Sequence, residues 1–214
     1  MTELDQRLRI RDKARDLFMQ YGIRTVSMDD IANAMGMSKK TLYQWFADKE
    51  ELVFEVMKGQ IEWSESACDS FRSVSANAIE ELFRTMEMVE EMFANMNPSV
   101  LIDMQKYHPK AFGLFTRHKY SYIYNVIREN LIWGIKEELY RADIDVDIIT
   151  NYRLACMLLP FDPSFMGKQK LSMAAIEQQI TEHYLFGIAT LKGHKLILKY
   201  KEKRHKSSLH GKTK

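Results

Sequence analysis

The residues whose chemistry best suits binding lie close together near the start of the chain, between positions 38 and 46. Lysine ammonium groups neutralise phosphates, threonine and tyrosine hydroxyls donate to phosphate oxygens, and a glutamine amide can bind adenine through two hydrogen bonds. The spacing predicts a short helix whose outward face is Lys39, Lys40, Thr41, Tyr43 and Gln44. Its inward face is Leu42, Trp45 and Phe46. A helix with this apolar back and polar front suits the major groove of double-stranded DNA.

Two capping signals and one glycine predict the elements that hold this helix. Ser27 can cap a preceding helix by accepting from an orphan backbone N–H, and Asp30 completes a capping box. Gly36 stands where that helix must stop, in a position suited to the left-handed conformation, and Ser38 can cap the second helix. This pattern indicates a helix-turn-helix. A plain helical hairpin is the alternative, but an amphipathic helix before the pair and a capped helix from Asp48 after it favour the first interpretation.

The same stretch resembles a known protein family over about residues 8–55. The residues that carry the resemblance are the Ile31-Ala32 pair, the turn glycine Gly36, the triplet Thr41-Leu42-Tyr43, Phe46 and the Lys49-Glu50-x-Leu52 start of the next helix. They are similar to the DNA-binding domain of tetracycline-repressor (TetR) family regulators. Lys40 and Trp45 depart from the family's frequent residues, which bears on operator preference. The resemblance implies a DNA-binding domain at residues 1–47 and a helical effector-binding and dimerisation domain at residues 48–214, with the fourth helix spanning the junction.

Chemistry and resemblance together predict a set of DNA-contacting residues. Gln44 is the best base reader because of its amide, while Tyr43 and Lys49 are expected to grip phosphates and set the register. Lys49 lies in the first turn of a helix, where a cation beside orphan N–H groups is well placed for a phosphate. An ordinary surface lysine is the alternative. The predicted set is Thr25, Ser27, Ser38, Lys39, Lys40, Thr41, Tyr43, Gln44 and Lys49.

Composition favours an all-α chain, because the 214 residues include only 4 prolines and 9 glycines. We predict about nine helices from the apolar periodicity. A first amphipathic helix covers residues 4–21, and the fourth helix runs from 48 to about 71. The later helices are predicted at 77–95, 97–107, 109–141, 145–159 and 172–191, with a loop at 161–170.

The bulk numbers also exclude several classes of function. A net charge of +2 gives no global basic field, so any nucleic-acid site must be a local patch. Cys68 and Cys156 are far apart without ligand spacing, which predicts free thiols in a reducing compartment. The N-terminus has no signal core, and no stretch approaches the roughly 18 apolar residues of a membrane span. We therefore expect a cytoplasmic protein without membrane association.

No sequence feature indicates catalysis. The chain has no Gly-rich phosphate loop, no metal-spaced His/Cys cluster and no nucleophile motif. We therefore expect no enzymatic activity, no cofactor and no metal.

The helices at 145–159 and 172–191 are apolar on most sides, so each needs a second partner surface. The resemblance implies a four-helix dimer interface built from both helices of two protomers, and a two-fold homodimer suits palindromic DNA. Burial within one protomer is the alternative. The predicted interface residues are Tyr152, Ala155, Leu159, Ile176, Ile180, Tyr184, Gly187, Ile188 and Leu191.

Aromatic and methionine side chains are frequent in the middle of the chain. Each one alone is most simply explained as core, but together they can line an apolar pocket with a few hydroxyls. The resemblance implies that such a pocket binds a small, mostly apolar effector, with Tyr107, His118, Tyr120 and Tyr124 as polar handles. His118 has no second ligand at i+3 or i+4, which argues against a metal. The predicted pocket residues are Trp63, Phe83, Met86, Met104, Tyr107, Phe112, His118, Tyr120, Tyr124 and Met157.

The tail at residues 192–214 is strongly basic, with Glu202 as its single acid. It resembles a nucleic-acid-binding arm. We favour a solvated extension, since the family resemblance places this end away from DNA. Apolar residues at 196–198 and Tyr200 predict that its first part packs as a further helical turn or two.

These patterns predict a DNA-binding transcriptional regulator. In this hypothesis a homodimeric repressor leaves a palindromic double-stranded operator when a small effector binds. The rival from another class is a helical lipid- or acyl-binding protein whose helix-turn-helix is only structural. Binding of the pure protein to a palindrome from its own upstream region would separate the two.

Overall fold

The computed structural model describes residues 3–166 and 171–211, with side chains over 3–165 and 171–205. Twelve α-helices account for most of these residues. They are α1 (Glu3–Tyr21), α2 (Met28–Ala34), α3 (Lys39–Trp45), α4 (Lys49–Val74), α5 (Ala78–Ala94), α6 (Ser99–Tyr107), α7 (Pro109–His118), α8 (Tyr124–Lys136), α9 (Val146–Cys156), α10 (Pro163–Met166), α11 (Met173–Ile188) and α12 (Leu191–Gly211). Across the described ranges there is no named strand, which confirms the all-α prediction.

The chain divides into two compact units. The N-terminal unit comprises Met1–Ser66 and Phe93–Tyr120, and the C-terminal unit comprises Ala67–Met92 and Ser121–Lys214. Residues of α4 therefore belong to both units. Residues 93–120, which follow α4 by some distance in sequence, pack with the N-terminal helices.

The core of the N-terminal unit forms where apolar faces of α1 to α4 meet those of α6 and α7. Its fully buried members include Ile10, Phe18, Ile31, Leu42 and Leu52. Ile10, Ala14 and Phe18 recur at intervals of four, so one stripe of α1 provides its share of this core. This core fixes the apolar side of α3 and leaves the other side to solvent.

The core of the C-terminal unit gathers α5, α8, α11 and α12. Ile79, Leu131, Leu185 and Ile197 are all 0% exposed there. This core also contains the buried polar side chain of Asn130. Its amide donates to the carbonyl of residue 78 at 2.8 Å and accepts from Tyr140 Oη at 3.2 Å. Such pairing satisfies polar atoms that would otherwise be costly to bury.

The single helix predicted at 109–141 is wrong in detail. A π-helical turn at Lys119–Ile123 separates α7 from α8, and α8 ends at Lys136. Glu138 has φ +59°, and the backbone N–H groups of Leu139 and Tyr140 both donate to the carbonyl of Gly134. A left-handed residue after the helix lets these bonds satisfy terminal carbonyls, although the sequence offers no glycine there as a signal.

The structure also differs from the prediction in the segment at 161–170 and in the C-terminal tail. The segment predicted as a loop at 161–170 follows a 3-10 turn at Leu159–Phe161 and contains the short α10, while residues 167–170 lie outside the described ranges. The Asp162 carboxylate accepts from both the backbone N–H and the hydroxyl of Ser164, which starts α10. The tail forms α12, a helix of 21 residues rather than a turn or two. No helix within the described ranges is both long and apolar enough to cross a membrane.

Candidate nucleic-acid interface

The start of α2 has the capping box that the sequence predicts. Ser27 Oγ accepts from the backbone N–H of Asp30 at 3.1 Å, and Asp30 Oδ2 accepts from the backbone N–H of Ser27 at 2.8 Å. The Ser27 hydroxyl also donates to Asp30 Oδ2 at 2.6 Å. These bonds from Ser27 lower the pKa of Asp30, since they favour its ionised form. The N-terminal end of α2 is therefore fixed by local contacts alone.

The turn between α2 and α3 depends on Gly36, whose φ is +66°. The backbone N–H of Met37 donates to the carbonyl of Ala32 at 3.0 Å and closes the end of α2. Ser38 Oγ then accepts from the backbone N–H of Thr41 at 3.0 Å and starts α3. The left-handed region favours glycine, so this turn explains why Gly36 stands between two caps.

The front of α3 is open to solvent over a buried back. Leu42 is 0% exposed, and Phe46, just after the helix, is 1% exposed. Lys40, Tyr43 and Gln44 are exposed on the other side. These three side chains offer an ammonium, a phenol and an amide on one rigid face, which is the donor and acceptor set that DNA contacts require.

Several of the other predicted contact residues already have partners within the chain. Lys39 Nζ lies 2.9 Å from Asp29 Oδ1, and this carboxylate raises the pKa of Lys39. The hydroxyls of Ser38 and Thr41 lie 2.8 Å apart. Thr25 is exposed in the loop before α2. The structure thus gives Ser27 and Ser38 capping roles, while their contact with DNA stays a prediction.

Lys49 is turned toward the protein. Its ammonium donates to the carbonyl of Ile23 and lies 5.8 Å from the centre of the Phe18 ring. Burial lowers the pKa of Lys49, and the carboxylates of Asp103 and Asp30 act against this shift. Lys49 thus connects the start of α4 to the loop after α1.

Arg7 of α1 holds the end of α3, a role that the sequence does not indicate. Its Nη1 donates to the carbonyl of Trp45 at 2.6 Å, and its Nη2 donates to Glu51 Oε1 at 2.8 Å. The guanidinium also lies 4.4 Å from the centre of the Phe46 ring. Glu51 Oε2 accepts from the backbone N–H of Ala47 at 2.7 Å, and the Arg7 hydrogen bond lowers the pKa of Glu51.

A buried carboxylate fixes the loop between α1 and α2. Asp103, only 8% exposed, accepts from the backbone N–H of Arg24 at 3.0 Å and from the Ser99 hydroxyl at 3.2 Å. Gly22 sits beside this contact with φ +87°, where a Cβ would lie 2.7 Å from Ser99 Oγ. The sequence does hold a signal for Asp103, because it is the one acid in the apolar turn Leu101-Ile102-Asp103-Met104.

The residues predicted to line an effector pocket are divided between the two units. Trp63, Met104, Tyr107, Phe112, His118 and Tyr120 belong to the N-terminal unit, and Phe83, Met86, Tyr124 and Met157 belong to the C-terminal unit. Met104, Phe83, Met86 and His118 are buried, whereas Trp63, Tyr107 and Tyr120 are exposed. His118 Nδ1 lies 3.0 Å from Glu65 Oε1, and the Tyr124 hydroxyl donates to Asp147 at 3.1 Å. Their common role in one pocket stays a prediction.

The predicted dimer residues differ in their exposure to solvent. Tyr152, Ala155, Gly187 and Leu191 are exposed in the protomer, and Leu159 and Ile180 are partly exposed. Ile176, Tyr184 and Ile188 are 3–4% exposed. The first group is free to meet a second protomer, while the last three already pack inside one.

The chain is similar in sequence to several known regulatory proteins. The family described as "Bacterial regulatory proteins, tetR family" matches residues 10–56. The HTH-type transcriptional repressor KstR2 of Mycobacterium tuberculosis is 28% identical over 146 residues, which cover 65% of this chain and 71% of that protein. The uncharacterised HTH-type transcriptional regulator YvaF of Bacillus subtilis is 23% identical over 80% of this chain and 90% of its own length.

A solved structure has a similar fold over most of the chain. The crystal structure of a transcriptional regulator from Saccharomonospora viridis in complex with choline matches with a TM-score of 0.70 at 21% identity, over 88% of this chain and all of that one. The matched segment 10–56 contains the capping box, the Gly36 turn and the polar front of α3. These relatives confirm the resemblance and support a regulator rather than a lipid- or acyl-binding protein. Residues 10–56 match the TetR family, and the chain is a DNA-binding helix-turn-helix transcriptional regulator.

Proposed function

We propose that the chain is a homodimeric repressor that reads a palindromic operator with α3 of each protomer. The observation that carries the proposal is the exposed trio Lys40, Tyr43 and Gln44 on a helix whose back is fully buried. In such a dimer the two recognition helices enter successive major grooves about 34–36 Å apart. The relatives named as repressors support this direction of regulation. Such a role takes place in the cytoplasm, where the DNA lies.

Within this interface Gln44 reads a base and Tyr43 contacts a phosphate. A glutamine amide can bind adenine through two bonds, and one good pair of this kind contributes roughly 1–3 kcal/mol of discrimination. A phenol donates one bond to a phosphate oxygen and sets register without reading sequence. Gln44→Ala is therefore expected to relax sequence preference, whereas Tyr43→Phe weakens binding to all operators alike.

The test selects bound fragments from genomic DNA and then measures mobility shifts on the enriched palindrome. Gln44→Ala should lower the ratio of operator to random-sequence affinity about tenfold or more. Gln105→Ala is the matched control, because Gln105 is exposed on α6, outside α3 and outside the helices proposed for dimerisation. Failure of the protein to shift any duplex at low salt would reject the regulator mechanism and return the lipid- or acyl-binding alternative.

Lys49 is proposed as a phosphate contact that leaves its inward position when DNA binds. Its first-turn location supports this role, and its bond to the Ile23 carbonyl gives it a competing one. If Lys49 neutralises one phosphate, Lys49→Gln flattens the slope of log affinity against log salt by about 0.9. An unchanged slope removes Lys49 from the contact set.

Dimerisation is proposed to use the exposed sides of α9 and α11. Ile148 and Tyr152 are 65% and 46% exposed on α9, and a Cβ added to Gly187 on α11 would have nothing within 4 Å. Large exposed apolar side chains beside an open small-residue position suit close approach of a second helix. Tyr152→Glu should therefore yield monomers in sedimentation, while Ile132→Glu, at an exposed position on α8, should not.

Release by a small, mostly apolar effector completes the proposal. The regulator solved with choline supports ligand binding by this fold, although it does not indicate this chain's ligand. Residues of α4 belong to both units, so we infer that α4 transmits the change. A ligand can shift the equilibrium only by its difference in affinity for the DNA-binding and released states. A metabolite screen for loss of the mobility shift tests this step.

A further inference from the structure

The C-terminal helix α12 has two faces of different character. Ile197 is 0% exposed, and Tyr200 packs at 5.5 Å from the Phe83 ring and bonds to Asn77 and Glu80. The opposite side has four exposed lysines at helical spacings of three, four and four: Lys192, Lys195, Lys199 and Lys203. We call these four residues the lysine stripe. A helix turns about 100° per residue, so the stripe occupies an arc of about 80°.

Most acids near α12 form an ion pair with a cation outside the stripe. Glu182 pairs with Lys201 at 2.8 Å, and Glu90 pairs with Arg204 at 2.6 Å. Glu80 pairs with Arg84 at 2.7 Å. Glu138 lies 3.8 Å from Lys192, and Glu202 lies beside the stripe in sequence. Among the described side chains, neither Lys195 nor Lys199 forms an ion pair with an acid.

The length and the positive charge of the lysine stripe indicate which kind of partner it binds. Four lysines over about 16 Å of helix face about five consecutive phosphates of one DNA strand. Lysines neutralise phosphates without reading bases, so binding of this kind does not depend on sequence. Single strands need aromatic side chains for stacking, and the stripe has none. A membrane would require a free apolar face, but most of the apolar face of α12 is buried, with Leu191 and Leu198 exposed.

We propose that the lysine stripe of α12 is a second, sequence-independent binding surface for double-stranded DNA. It acts in addition to α3 and belongs to the C-terminal unit. Each stripe contacts the phosphates of a duplex, raises the affinity for non-operator DNA and increases its dependence on salt. This role is consistent with a tail that forms a long, anchored helix with four of its lysines on one side.

The test uses the full chain with α3 disabled by Lys40→Ala, Tyr43→Ala and Gln44→Ala, so that its outcome does not depend on operator reading. Fluorescence anisotropy measures binding of a random-sequence 30-base-pair duplex at several salt concentrations. The stripe variant adds Lys192→Gln, Lys195→Gln, Lys199→Gln and Lys203→Gln. The control variant instead adds glutamine at four exposed lysines outside α12: Lys58, Lys106, Lys110 and Lys136. Both sets remove four lysines from the same parent, whose net charge is +1 because Lys40→Ala removes one charge from the +2 of the wild-type chain.

The stripe variant is expected to flatten the salt slope by three to four units, about 0.9 for each lost phosphate contact. Its affinity at 50 mM salt should fall at least tenfold, while the control variant keeps most of its binding. Lys195→Gln with Lys199→Gln should give about half the change in slope. Circular dichroism confirms that each variant remains helical. Equal weakening of the stripe and control variants, or no change in either, would overturn the proposal.

A second assay tests whether the stripe binds an anionic membrane instead of DNA. Vesicles of phosphatidylserine and phosphatidylcholine replace the duplex in a sedimentation assay. The stripe proposal predicts no more vesicle binding by the parent than by the stripe variant. Stripe-dependent binding to vesicles without stripe-dependent binding to DNA would overturn it.

Discussion

A buried ion pair joins α9 to α11, and its removal gives a sharp prediction about stability. Arg153 Nη2 donates to Glu177 Oε1 at 2.6 Å and to Thr181 Oγ1 at 2.8 Å. The side chains of Arg153 and Glu177 are only 10% and 3% exposed. Among the described residues, Arg153 Nη1 and Glu177 Oε2 have no hydrogen-bond partner. The pair is thus well shielded from water but incompletely satisfied.

Removing one partner leaves a charge stranded in the interior. Among the described residues, Glu177→Leu leaves the Arg153 guanidinium with Thr181 as its hydrogen-bond partner. Breaking a buried pair in this way costs about 3–5 kcal/mol. For a chain of this size each kcal/mol lowers the Tm by about 2–4 °C, so the expected loss is roughly 6–20 °C. Replacing both residues, Arg153→Met with Glu177→Leu, removes the stranded charge. The double variant should therefore be close to wild type or more stable.

The assay is thermal and urea unfolding at one fixed protomer concentration, because dimerisation makes apparent stability depend on concentration. Lys58→Met is the surface control: Lys58 lies 3.9 Å from Glu62 in an exposed pair, which is worth about 0.5 kcal/mol or less. The free energies of the two single variants and the double variant form a cycle that isolates the coupling between the partners.

Two results would refute this reasoning. If Glu177→Leu unfolds at the wild-type temperature, the interior around Arg153 is open to water and the pair is not buried in solution. If the double variant loses as much stability as the single variant, the cost comes from packing rather than from an unpaired charge.

Three further predictions concern the N-terminal unit. Gly36→Ala should cost about 1–2 kcal/mol in urea unfolding because φ is +66°, and Gly36→Asn should cost less; equal stability of all three would refute the backbone argument. Burial lowers the pKa of His118 from 6.5 more than Glu65 raises it, so the unfolded chain binds more protons below that pH. Stability should fall as pH falls through 6.5, and His118→Gln should remove that part of the dependence; an identical pH profile would exclude it. Arg7→Met should weaken operator affinity by loosening the end of α3, whereas Arg9→Met at an exposed position should not, as mobility shifts can check.

The sequence by itself determined the features that depend on contacts three or four residues apart. Ser27 with Asp30, Gly36, and Ser38 with Thr41 each act within one turn of helix, so their residue types and spacing suffice to place α2 and α3. The apolar and polar sides of α3 follow in the same way from helical periodicity. The all-α class and the resemblance of the first quarter of the chain rest on such local patterns.

Only the tertiary structure decided what each side chain does after the helices pack. Arg7 pairs with Glu51, which lies 44 residues away in sequence, and Lys49 donates to the carbonyl of Ile23, which lies 26 residues away. The periodicity of apolar residues does not predict such pairings. The π-helical turn after α7 and the left-handed Glu138 likewise leave no mark in the apolar stripe of the sequence, so only the structure showed them. The basic tail shows the same limit: its charge was visible in the sequence, but the burial of Ile197 showed which four lysines of α12 face solvent together.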